Sequence, residues 1–167
     1  MKKTLIIFFI SAICLGFKTE TKLSNNKEID IPKDFYFNID LLNADYYNGR
    51  KKLYYRQYSS GVKGVKLKLN RTEKAKIFKH LADYNFDSFP DNFDSKDVHF
   101  VPTDSQTKIF ITAYYNGKLK TVTYNFGLTD DTNKAKAKSF LELYQKISEF
   151  ISKKKIIRNL PKSDYNY

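Results

Sequence analysis

The chain has 167 residues, 30 of them basic and 18 acidic, a formal net charge of +12 and a single cysteine. One thiol excludes an internal disulfide, so stability must come from burial, and a chain of this length suffices for one core. The excess of positive charge points towards polyanionic surfaces, although lysines on solvent faces also serve solubility.

The N-terminus reads as a secretory leader. Lys2 and Lys3 precede the apolar run Leu5-Ile6-Ile7-Phe8-Phe9-Ile10, and Ser11 to Gly16 end it with small residues. The lysines hold the start on the cytoplasmic side, the apolar run partitions into the membrane and small residues fit a peptidase. Cleavage after Gly16 takes both lysines away and leaves +10. The alternative makes Cys14 a lipid-carrying N-terminus, which would anchor the chain to the envelope. The run is shorter than the roughly 20 residues that span a bilayer, so no transmembrane helix is expected in the mature chain. Residues 17–32 read as a flexible lead.

One α+β domain is expected over 33–157. Phe35, Phe37, Ile39 and Leu41 alternate with polar residues, the period of a half-buried strand. Asn48-Gly49 signals a turn, and a second strand follows at about 52–58. Ser59 to Gly64 reads as a glycine-bearing turn, and a third strand as 65–69, with Val65, Leu67 and Leu69 on one side. Asn70-Arg71-Thr72-Glu73 opens a helix with a capping box, and Ile77, Phe78, Leu81 and Tyr84 form its stripe.

Residues 85–106 read as a long connection anchored by Phe86, Phe89, Pro90 and Phe93. Asp83, Asp87, Asp91, Asp94, Asp97 and Asp104 lie in or beside it, without the glycine and closing glutamate of a calcium loop. Asn116-Gly117 is a hairpin signal that pairs Tyr115 with Lys118, Ile111 with Val122 and Ile109 with Tyr124. The opposite face carries Phe110, Thr112, Tyr114, Leu119, Thr121 and Thr123, and is mixed enough for partial cover. Thr129-Asp130-Asp131-Thr132 caps a helix at about 133–152 with Phe140, Leu143, Tyr144, Ile147, Phe150 and Ile151 on its stripe. Residues 158–167 form a tail. The expected order is β-β-β-α-β-β-α, an antiparallel sheet of about five strands with two helices on one face.

Catalytic groups are sparse. Cleavage removes the cysteine, and His80 and His99 lack a nucleophile elbow, a metal spacing or a phosphate loop around them. No enzyme activity, metal or cofactor is expected. Binding remains, in two forms. The turn residues Ser60, Gly61, Val62, Lys63 and Gly64 let a partner protein approach closely. Alternatively Lys66, Lys68, Lys118, Lys120, Lys153, Lys154 and Lys155 hold anionic lipid or acidic polysaccharide of the envelope. Nucleic acid falls behind these, because an exported protein rarely meets it.

The run Tyr55-Arg56-Gln57-Tyr58-Ser59-Ser60-Gly61-Val62-Lys63-Gly64 resembles the opening strand and glycine turn of the emfourin family. A strand, a helix, Phe86 with Phe89-Pro90, Asp104, the Asn116-Gly117 hairpin and a closing amphipathic helix continue the likeness over 53–151. Val62 stands where that family usually has a second glycine. The resemblance implies an α+β fold and inhibition of a thermolysin-type metalloprotease.

Overall fold

The computed structural model describes residues 30–41, 45–93, 108–125 and 133–165. The leader, Cys14, His99, Asp94, Asp97, Asp104 and the capping run 129–132 lie outside the described residues.

Seven strands form one mixed sheet: β1 (Tyr36–Leu41), β2 (Asp45–Asn48), β3 (Leu53–Tyr58), β4 (Gly61–Lys66), β5 (Asn92–Phe93), β6 (Lys108–Tyr115) and β7 (Lys118–Asn125). Their spatial order is β4-β3-β2-β1-β6-β7-β5. All neighbours pair antiparallel except β5, which runs parallel to β7. The α+β class and the single core agree with expectation, whereas the strand count and the purely antiparallel sheet do not. β2 and β5 are the additions. β2 is four residues with only Tyr47 buried, too short to show a period. β5 is two residues whose partner is distant in sequence.

Strand β4 is the third correction. It spans 61–66, so the expected turn at 59–64 shrinks to Ser59-Ser60, and Leu67 and Leu69 follow the strand rather than end it. Both leucines are buried, as their spacing suggested. Gly61 and Gly64 read as turn because glycine is a poor strand former; tertiary pairing to β3 overrides that.

Helices α1 (Arg71–Asp83), α2 (Lys134–Ser152) and the short α3 (Lys155–Arg158) complete the chain. The capping box of α1 is complete: Asn70 accepts the Glu73 N–H at 2.9 Å, and Glu73 accepts the Asn70 N–H at 2.8 Å. Ile77 and Leu81 are buried, and Phe78 packs edge-on against Phe35 and Tyr115. In α2 the residues Phe140, Leu143, Tyr144, Ile147 and Ile151 are buried. Both helices cover one face of the sheet, where Phe37, Ile39, Tyr47, Tyr54, Ile111 and Val122 meet them in one core. Lys154 pairs with Glu73, tying the end of α2 to the start of α1.

The β6–β7 hairpin has the register read from the sequence, Tyr115 opposite Lys118, with Asn116 at φ 51° and Gly117 at φ 73°. The Asp34 carboxylate accepts both loop N–H groups, at 3.0 and 2.8 Å, and the Gly117 bond above all holds its pKa below the usual range.

Tyrosines with a raised pKa make the fold sensitive to alkali, Tyr46 among them through burial first and the neighbouring Tyr55 second. Burial pushes Tyr47 up to about 12, with the Glu73 charge adding to it. Burial also raises Tyr54, helped by the bond to Asp45, and Tyr115, helped by a 2.5 Å bond to Asp87. A raised tyrosine pKa contributes stability that is complete below the unfolded value and lost as pH rises through the folded one. The expected result is a stability plateau that falls above about pH 10. The chain has 13 tyrosines, so absorbance at 295 nm is compared with that of the single variants Tyr47→Phe, Tyr54→Phe and Tyr115→Phe: the step each variant lacks should fall together with unfolding, and a missing step near pH 10 in the folded state would refute it.

Candidate functional site: the β4 edge

Strand β4 is the outermost strand on its side of the sheet. Ser59 and Ser60 turn the chain, and Gly61 closes the loop at φ 123°, a conformation that side chains disfavour. The register runs from Tyr58 opposite Gly61 to Leu53 opposite Lys66. Past the strand, the Leu67 N–H donates to the Lys52 carbonyl at 2.9 Å. Residues 52 and 67 are therefore a hydrogen-bonded pair, and in an antiparallel ladder such pairs recur at every second residue. Gly61, Lys63 and Val65 turn their backbone groups to β3. Val62, Gly64 and Lys66 turn theirs to the free edge, where they have no partner among the described residues.

Side chains alternate the other way. Lys63 and Val65 lie on the helical face beside Arg56 and Tyr54; Val62, Gly64 and Lys66 lie on the open face. Val62 is 61% exposed. Gly64 leaves space that the Tyr55 ring fills: two ring carbons stand 3.4 Å from where a Cβ would be.

The hairpin behind this edge is firmly held. Arg56 donates to Asp45 through Nε at 2.9 Å and Nη2 at 2.8 Å, while Tyr54 also donates to Asp45. The third arm of Arg56, Nη1, donates to the Pro161 carbonyl at 2.8 Å. The C-terminal segment continues along the end of β3: Ser163 donates to the Gln57 carbonyl at 2.6 Å, and Asp164 accepts from the Ser59 N–H and Oγ at 2.9 and 2.7 Å. Residues expected to form a tail thus pack against the β3–β4 turn.

Charge around the edge is one-sided. From Tyr46 to Thr72 the chain carries eight basic residues and no acidic one. Past β4, an open groove at the start of α1 is lined by Lys33, Lys68, Arg71 and Lys74, with Asp30 as the acid in its lining.

The open face of the sheet carries two stacked tyrosine pairs, Tyr36 with Tyr114 at 5.0 Å and Tyr46 with Tyr55 at 6.1 Å. Thr112 and Thr121 share a hydrogen bond of 2.9 Å. These rings shield one another, which accounts for the mixed composition of that face; the helices pack against the other one.

The expected site residues separate. Ser60 to Gly64 form one turn residue and most of an edge strand. The expected polyanion lysines do not converge: Lys66 and Lys68 lie at the β4 edge, and Lys118 and Lys120 on β7, roughly 24 Å away across five strand spacings. Lys120 pairs with Asp91, Lys153 with Glu149 and Lys154 with Glu73. Of the aspartates, Asp83 binds Lys79 and Asp87 accepts from Tyr115. His80 sits half-buried on α1, its pKa lowered by burial and by Lys146. Among the described residues no three of His, Cys, Asp and Glu gather at metal-binding distance, and no helix is long and apolar enough to cross a membrane. The feature that sequence reasoning missed is the acid-free run 46–72, which simple counting could have found.

No family model matches this chain, and no curated protein and no solved structure matches it.

Proposed function

We propose that the chain is an exported, non-catalytic binding protein that holds its partner as an extended segment added to the β4 edge. The supporting observation is the six-residue outer strand on which Val62, Gly64 and Lys66 direct donors and acceptors away from β3. An exposed edge of this kind is a template for a further strand: main-chain bonds supply affinity and alternate side chains supply specificity. Export rests on the leader at 1–16. The emfourin resemblance supports a narrower form, in which the partner is a thermolysin-type metalloprotease.

Selection of a displayed library of extended peptides on the purified protein should return binders. These should protect the amides of Val62, Gly64 and Lys66 from hydrogen exchange. Gly64→Pro should abolish binding while leaving the fold intact, because the N–H it removes faces outward. A library that yields no such binder removes the reading. The narrower form predicts stoichiometric slowing of a thermolysin-type protease, and free digestion at equal molar ratio eliminates it.

A further inference from the structure

We infer that the β4 edge selects an acidic extended segment of another protein, with carboxylates three residues apart. This rests on the strand-addition reading above and deepens it.

The spacing follows from the strand. Lys63 and Lys66 are three apart and so lie on opposite faces of the sheet. A segment paired alongside β4 places its own residues opposite them with the same alternation. One carboxylate then meets Lys63 on the helical face, and one three residues away meets Lys66 on the open face. Between them, residues opposite Gly64 and Val65 meet the Tyr55 ring and a half-buried valine, and the residue opposite Val62 meets an exposed apolar side chain. Apolar residues suit those three places.

The surroundings reinforce the sign. The stretch 46–72 holds eight basic residues and no acid. The acids that flank it are engaged: Asp45 with Arg56, Glu73 with Lys154 and Asp164 with Ser59. Lys68 and Lys33 extend the positive field past the strand into the groove at the start of α1, where Arg71 pairs with Asp30 at 3.7 Å. A basic segment would meet like charge on both faces, and a neutral one would leave the field unused.

Free polyanions offer the same charge without a ladder, and the experiment separates the two. The probes are the peptide Thr-Val-Glu-Val-Val-Glu-Val-Thr, its counterpart with both glutamates replaced by lysine, and the glutamate peptide N-methylated at alternate residues. Dextran sulfate and vesicles of phosphatidylglycerol with phosphatidylcholine are the polyanion arms. Binding is read by amide chemical shifts and hydrogen exchange on the purified protein. The glutamate peptide should bind at least about tenfold more tightly than the lysine peptide in low salt, and should protect Val62, Gly64 and Lys66. The N-methylated peptide should bind at least about tenfold more weakly, because its ladder is blocked. The double variant K63E/K66E, both exposed positions, should reverse the preference while melting like the parent.

Equal binding of the glutamate and lysine peptides, both protecting the edge, overturns the acidic preference and leaves strand addition standing. Failure of every peptide to protect the edge amides overturns both. Undiminished binding of the N-methylated peptide, or dextran sulfate or vesicles displacing the glutamate peptide at equal charge, makes the region a general polyanion surface and overturns the inference.

Discussion

Replacing Gly49 with alanine is expected to destabilise the protein by about 3 kcal/mol or more. An added Cβ would stand 2.2 Å from the Phe37 carbonyl oxygen, far inside contact distance. The obstacle is backbone of a central strand, which has no rotamer to change. The same glycine donates its N–H to that oxygen at 2.9 Å, with Asn38 Oδ1 at 3.1 Å, so any shift that relieves the clash also weakens the bond. Urea unfolding should show the midpoint falling with little change in slope, and thermal melting should fall by roughly 10 °C. A loss under about 1 kcal/mol would mean that the loop can lift away from β1 without cost.

The second large effect is expected at Asp45. Its carboxylate and the Arg56 guanidinium are 13% and 14% exposed, and two Arg56 nitrogens and the Tyr54 hydroxyl converge on it. Asp45→Ala leaves a largely buried cation with the Tyr54 hydroxyl and the Pro161 carbonyl. Breaking one partner of such a pair costs about 3 kcal/mol. By contrast, removing Lys79 from its exposed pair with Asp83 should cost about 0.5 kcal/mol or less. Denaturant titration of the two variants measures the difference directly. Because Arg56 also holds Pro161, the Asp45 variant should expose the Ser59 amide to faster exchange; equal stability of the two variants would refute the assignment.

The sequence discloses the parts of this fold whose signals are local. Gly117 adopts positive φ because it has no Cβ to clash, and Asn116 because its short polar side chain tolerates it, so the hairpin and its register are legible from two residues. The same holds for the reciprocal bonds of Asn70 and Glu73 and for the long stripe of α2. What stays hidden depends on distant partners. β2 exists because β1 and β3 lie on either side of it. β5 owes its two residues to β7. The glycines of β4 signal a turn, and only pairing with β3 makes them a strand.

The candidate site divides along the same line. Its residues at 60–64 stand out through two glycines in five residues, and the lack of acid between 46 and 72 is plain in the composition. Neither observation says that these residues form a boundary of the sheet, nor which backbone groups look outward. Those follow from register alone, through one bond between Leu67 and Lys52.

The inequality of the two sheet borders fixes a stoichiometry. One border is the six residues of β4; the other is the two residues of β5. Open-ended fibres require each molecule to offer two complementary borders, so that every addition regenerates the one it consumed. Here, among the described residues, a second copy paired through β4 consumes the long border of both molecules and leaves only the two residues of β5 at each end. Self-association through this strand should therefore stop at a pair.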